Sequence, residues 1–148
     1  MPNHCSVEST ALAKSDKRLC KRIWWTLFTR DRSVAVAMGR PCCINTDDCD
    51  IDMLTEDDFI DEEADRTSDP PPDPVHVQFF LNYIKLTEIM GLVLSQQYSV
   101  ASRGRRNNAL DLTASDMALA DWRQSCPKEI IWDKPGHHFW AALLHVNY

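Results

Sequence analysis

The sequence predicts an all-α protein, an irregular helical bundle that carries a long acidic loop. One helix-length segment near the N-terminus repeats apolar residues at helical spacing, and a second, from Val77 to Ser95, is apolar almost all round. Eight prolines against four glycines leave too few tight-turn residues for a β-sandwich. At 148 residues the chain is long enough for one domain, expected to bury roughly two thirds of its unfolded surface. Its hydrophobic fraction of 44% and charged fraction of 26% are those of an ordinary soluble protein.

Residues 1–14 are expected to be disordered; they lack the basic and apolar regions of a secretory signal. The first helix is predicted over 15–39, capped by Ser15 or Asp16. At about 100° per residue, Leu19, Cys20, Ile23, Trp24, Leu27, Phe28, Val34, Ala35 and Met38 share one half of the wheel. Arg18, Lys21, Arg22 and Arg32 take the other half, so the Leu19-side face is expected to turn inward. Trp25 points away from that face and must cover a second neighbour or lie on the surface. Asp31 falls near the middle of the apolar face, where a carboxylate needs a partner. Arg40 is the expected partner, with free backbone N–H groups as the fallback. Gly39 suits the left-handed position past the helix end, and Pro41 blocks continuation.

From 42 to 73 the chain reads as an acidic loop and linker. Asp47 to Asp73 holds thirteen acidic residues and one basic residue, Arg66, whereas Lys14 to Arg40 holds eight basic and two acidic. The overall charge of −6 favours these two segments neutralising each other over a nucleic-acid surface. Thr55 and Asp58 have capping-box spacing and are expected to start a short helix. The stretch "EEADRTSDPPPDP" is too charged and proline-rich to pack, and is expected to be a mobile or polyproline-like linker.

A second long helix is predicted over 74–100, with Asp73 as its cap and Pro74 in its first position. Its apolar wheel belongs at the centre of a bundle; Lys85 and Glu88 near its middle argue against a membrane span. Gly91 is expected to permit close approach of a neighbour. The loop "SRGRRNN" carries Arg103, Arg105 and Arg106, a weak phosphate-binding signal. Thr113 and Asp116 suggest another capping box opening a helix over 114–126, ended by Pro127. After a turn at Pro135-Gly136, a last helix is predicted over 137–148; it stops in mid-pattern, as a piece of a larger helical domain would.

Motifs for catalysis are missing. No phosphate-binding or dinucleotide glycine loop, zincin helix or nucleophile elbow is present. Register excludes a calcium loop starting at Asp48: Asp50 and Asp52 fit, but Met53 stands at the required glycine and Phe59 at the required glutamate. Cysteines 5, 20, 42, 43, 49 and 126 lack zinc-knuckle spacing and are expected to be reduced thiols. His137 and His145 stand two helical turns apart, too far for one ion without further ligands. No catalytic, cofactor-binding or metal residue is assigned, and the chain is expected not to be an enzyme.

The stretch "CKRIWWTLFTRDRSVAVAMGRPCCIN" resembles the signature of the regulatory middle homology region of fungal zinc-binuclear-cluster transcription factors. The matching positions are Arg22, Trp24, Trp25, Asp31, Arg32, Gly39, Arg40 and Pro41. "LADWRQSCPKEIIWD" resembles the family's Trp…Pro…Trp segment, and "HFWAALLHVNY" the start of its next helix. The acidic loop "INTDDCDIDMLTEDDF" looks most like that of the cutinase transcription factor group. The resemblance implies a partial regulatory domain over 15–148 that controls transcription in the nucleus, with Trp24, Trp25, Asp31, Arg32, Gly39, Arg40 and Pro41 as a structural signature. It further implies protein partners in the transcription machinery or a full-length relative, a small-molecule effector, and no membrane. DNA would be reached only through an N-terminal zinc cluster, whose cysteine spacing does not occur here. The residues leave open a stand-alone helical interaction module, a truncated product without function, direct DNA binding through the basic stripe, and a helical enzyme using cysteine or histidine.

Overall fold

The computed structural model describes residues 14–60, 72–98, 109–131 and 139–148. Four α-helices follow one another: α1 (Lys14–Met38), α2 (Pro74–Tyr98), α3 (Ala109–Ser125) and α4 (Phe139–Asn147). Two 3-10 turns, Thr46–Asp48 and Glu56–Phe59, lie between α1 and α2. No strand occurs among the described residues, so the fold is all-α. Of residues 1–14, expected to be disordered, Lys14 is the first residue of α1; residues 1–13, the linker 61–71, the arginine loop 101–108 and the Pro135-Gly136 turn lie outside the described residues.

α2 is the axis of the molecule, packing against α1, α3, α4 and the second 3-10 turn. It is long and apolar enough to cross a membrane by length and composition, but its neighbours explain that apolarity. On one side Phe79 and Leu86 join Trp122, Cys126, Ile130 and Leu144 from the later elements. On another, Ile84 joins Trp25, Phe28 and Leu54. The two clusters meet at Phe80, which packs against both. Two buried donors of this core find carbonyl partners. The Trp122 indole donates to the Asn82 carbonyl at 2.9 Å, and the fully buried Thr87 hydroxyl donates to the Ile84 carbonyl at 2.7 Å.

Local signals set the helix ends. At the close of α1, Gly39 takes φ 59°; its N–H donates to Val36 O at 3.2 Å and the Arg40 N–H to Ala35 O at 3.0 Å. Both last-turn carbonyls are thereby satisfied in the pattern that a left-handed glycine permits. At the start of α2, the Asp73 carboxylate accepts the Val75 N–H at 2.8 Å. The Thr55–Asp58 pair opens the second 3-10 turn, with the Thr55 N–H donating to Asp58 Oδ2 at 2.8 Å.

Two expectations need correction. α3 starts at Ala109, so Thr113 lies inside the helix and does not cap it; "ALDLT" contains no glycine or proline to stop an extra turn. α1 is also rotated relative to its expected orientation. Its buried residues are Trp25, Phe28, Thr29, Arg32 and Ala35, whereas Leu19, Ile23, Leu27 and Met38 are 47%, 51%, 57% and 70% exposed. The aromatic pair and a buried arginine decide which face turns inward, because Trp25 and Phe28 remove more apolar surface from water than the aliphatic stripe would.

Gly39→Ala should cost about 1–2 kcal/mol, the penalty of a left-handed conformation for a residue with a Cβ. Urea denaturation would measure it, and an unchanged midpoint would show that the helix end tolerates a different exit.

Candidate functional site

Of the signature residues, Asp31 and Arg32 meet where the C-terminal half of α1 faces the loop that follows it. Asp31 receives that loop. Its Oδ2 accepts the N–H groups of Cys43 and Ile44, each at 3.0 Å, and its Oδ1 lies 3.1 Å from the Cys43 nitrogen. The backbone fallback is therefore the observed solution. Arg40 is exposed and uses its N–H on Ala35, so it is not the partner of Asp31.

Arg32 completes the clamp. Its side chain is 5% exposed, although the helical pattern puts it on the polar half of the wheel. Nη1 donates to Asp31 Oδ2 at 3.2 Å and Nη2 to the Ile44 carbonyl at 3.1 Å. The guanidinium lies 3.5 Å from the Phe28 ring centroid, in cation–π contact. Burial lowers the guanidinium's affinity for its proton, opposed by Cys42 when ionised and by the carboxylates of Asp31 and Glu88. Arginine nonetheless stays charged, so the charge must be held by these neighbours. Gly91 of α2 makes room for it: a Cβ there would stand 3.4 Å from Arg32 Nε and 3.6 Å from its Cγ. The close approach expected at Gly91 is thus that of an α1 side chain.

Trp24 and Trp25 have different tasks. Trp25 is 4% exposed and covers a second neighbour, donating its indole N–H to the Asp52 carbonyl at 3.0 Å. Trp24 is half-buried, meets Trp25 edge-on at 4.8 Å and stacks on Phe28 at 5.3 Å. Pro41 is exposed and starts the loop; with Gly39 it sets the chain's direction into the clamp.

The acidic loop folds back over the basic start of α1. Lys21 Nζ donates to Asp58 Oδ2 at 2.8 Å, and Arg18 Nη1 to the Ile60 carbonyl at 3.0 Å. A cleft of about 760 Å³ separates Lys14, Lys17, Arg18 and Lys21 from Asp50, Asp52, Asp57 and Asp58. The two charged segments thus face each other within the molecule. Burial opposes the charge on Asp58, but Lys21 and the Thr55 donors outweigh it and hold the carboxyl below its ordinary value.

A second cleft, of about 550 Å³, opens beside the clamp between Phe28 and Arg32, the loop from Pro41 to Asp47, and Glu88, Gly91, Leu92 and Ser95 of α2. Desolvation raises the Glu88 carboxyl pKa, against the pull of Arg32 and Lys85. No group of three or more histidine, cysteine or carboxylate side chains suited to a metal ion occurs among the described residues. Cys20, Cys42, Cys43, Cys49 and Cys126 are free thiols, and burial raises the pKa of Cys42 and Cys126. Sequence reasoning missed the Trp25–Asp52 bond and the stacking of Arg32 on Phe28. The only advance signal for the latter was the four-residue spacing of Phe28 and Arg32 on one helix.

Asp31→Ala should destabilise the protein by about 3 kcal/mol, since it leaves Arg32 buried without its carboxylate. A thermal midpoint equal to that of the parent would contradict this. Asp58 predicts a pH dependence of definite sign. Because its folded-state pKa is depressed, its contribution is present above the ordinary carboxylate value of about 4 and is lost as pH falls through the folded value. Asp58→Asn should therefore be less stable than the parent at pH 7, with the gap narrowing in thermal melts below about pH 4. A gap that stays constant down to about pH 2 would refute the pairing.

Comparison with known proteins shows the family of the sequence. The profile of the Fungal specific transcription factor domain matches residues 3–124. The chain is 73% identical to Cutinase transcription factor 1 alpha of Fusarium vanettenii over 98% of its own length and 16% of that protein's. It is 31% identical to Cutinase transcription factor 1 beta of the same fungus, over 84% of the chain and 17% of the relative. Against the Acetamidase regulatory protein of Aspergillus fumigatus the identity is 26%, over 98% and 18%. The chain thus spans about one sixth of the length of these relatives, and no solved structure matches it. By its sequence from residue 3 to residue 124, the chain belongs to the Fungal specific transcription factor domain family.

Proposed function

We propose that the chain regulates transcription as a regulatory and interaction domain, without catalysis and without reading DNA bases itself. The observation that carries this reading is its 73% identity, across 98% of the chain, to a protein named as a transcription factor. The charge arrangement supports the second half. A nucleic-acid surface needs lysine and arginine free to displace counterions, but Lys21 is paired with Asp58 and Arg18 with a backbone carbonyl. DNA recognition and zinc binding then belong to a zinc cluster of the kind the family carries, for which these 148 residues supply no cysteine set of suitable spacing. The site of action is the nucleus and the partners are proteins of the transcription machinery.

In this reading residues 15–148 form part of the regulatory domain. Trp24, Trp25, Asp31, Arg32, Gly39, Arg40 and Pro41 act as its structural signature and take no part in chemistry. The cleft beside Arg32 falls in the size range of small-molecule sites and is the candidate seat for an effector.

Fusing the 148-residue chain to an unrelated DNA-binding domain should change expression of a reporter carrying that domain's site, whereas the unfused chain should not retain a DNA duplex at about 0.15 M salt. A reporter indifferent to the fusion, or salt-dependent duplex binding by the chain alone, would overturn the reading.

A further inference from the structure

The outward side of α1 is apolar, with Leu19, Ile23 and Leu27 47%, 51% and 57% exposed. Leu19, Ile23 and Leu27 follow one another at four-residue intervals, and half-buried Val34 and exposed Met38 extend the same side. The stripe runs about 28 Å along the helix. Of the described elements, only α2 and the second 3-10 turn pack closely on α1, and they occupy the face marked by Trp25, Phe28 and Arg32. A row of large aliphatic side chains half or more exposed is a surface that soluble proteins keep for binding.

Charge indicates what covers it. Arg30 stands within the stripe, three residues after Leu27, and Arg22 borders it, three residues after Leu19. Arg30 is exposed, and neither arginine forms an ion pair among the described residues; Arg22 is half-buried, and its Nε is buried without a hydrogen-bond acceptor. Of the acidic residues near this side, Asp16 lies in the first turn and Asp31 is held by Arg32 and the N–H groups of Cys43 and Ile44. A second copy of the chain would set this basic, apolar strip against an identical one, so like charges oppose self-pairing. An anionic membrane would repel a chain of net charge −6. A ridge at i, i+4 and i+8 spacing fits the groove of another helix.

We propose that the Leu19–Ile23–Leu27 face of α1, with Arg22 and Arg30, docks an amphipathic helix of a separate protein whose apolar stripe is flanked by aspartate or glutamate. The proposal rests on the regulatory reading above and supplies the class of partner. It commits to the outer face of α1 and leaves the effector cleft and the acidic loop uninvolved.

The test measures anisotropy of a labelled probe helix of about eighteen residues, leucines at i, i+4 and i+8 with flanking glutamates, against the full 148-residue chain. The glutamate-flanked probe should bind, and the same helix with flanking lysines should bind about tenfold more weakly or worse. Leu27→Asp should abolish binding while leaving the thermal midpoint in place, because that side chain is 57% exposed. Arg30→Glu should reverse the preference between the two probes. Equal affinity for both probes, no binding to either, or undiminished binding by Leu27→Asp would overturn the proposal. Two other results would overturn it by assigning the face elsewhere. One is a dimer in sedimentation that Leu27→Asp dissociates. The other is binding to phosphatidylserine vesicles that Leu27→Asp abolishes. The reporter fusion reads out transcription, so failure of the docking test leaves that outcome to stand or fall separately.

Discussion

A buried positive charge organises this structure. Taking the guanidinium of Arg32 out of water costs several kcal/mol unless other groups replace its hydration. The replacements come from three places in the sequence: the Asp31 carboxylate beside it, the Ile44 carbonyl beyond the helix end, and the Phe28 ring one turn earlier. The Asp31 oxygen that serves Arg32 also holds the N–H groups of Cys43 and Ile44. Those groups reach it because Gly39 turns the chain back immediately after α1. The helix end, the loop and the charge are therefore one arrangement, and its remaining wall is the side-chain-free position at Gly91.

The same arrangement fixes how α1 meets α2. With Arg32 turned toward Gly91, residues three, four and seven positions earlier on the helix turn inward too: Thr29, Phe28 and Trp25. Trp25 then reaches the acidic loop through Asp52, and Leu54 and Ile84 close the cluster around it. The Lys21–Asp58 pair lies farther along α1 and ties the end of the same loop to the helix. Of these contacts, the aromatic packing supplies most of the net energy, since the Lys21 and Asp58 side chains are only 18% and 12% exposed and the cost of desolvating them offsets their attraction. The ion pairs select where the loop lies, and the tryptophans hold it there.

Much of this fold was legible in the sequence because the relevant signals are local. Gly39, the Asp73-Pro74 pair and the Thr55–Asp58 box each act within one helical turn, and each behaves as its residue type dictates. The all-round apolarity of α2 likewise implied a central position, because no other place in a small bundle covers every side of a helix. Orientation was not legible. In α1 the apolar residues spread over half the wheel, and Trp25 and Arg32 fall outside that half; periodicity weighs them as one aromatic error and one solvated charge. Their true role depends on Asp31, Ile44 and Gly91, residues of which the last is nearly sixty positions away. The signature resemblance marked Trp25, Asp31 and Arg32 as belonging together but carried no information about which way they face.

That error of orientation bears on function. A helix with one apolar face can satisfy it inside its own domain, but α1 has two. The aromatic face is matched to the acidic loop and α2 by directional bonds: an indole to a carbonyl, a guanidinium to a carboxylate, an ammonium to Asp58. Among the described residues the aliphatic face has no such bonds, and Arg22 and Arg30 beside it form no ion pair. Interactions that carry direction fix a fold, whereas aliphatic side chains bordered by charge take a partner by area and choose among partners by sign. An arrangement with the directional groups inside and the aliphatic ridge outside separates these two demands on one helix. The aliphatic ridge can then gain or lose its partner without disturbing the buried charge on which the domain depends.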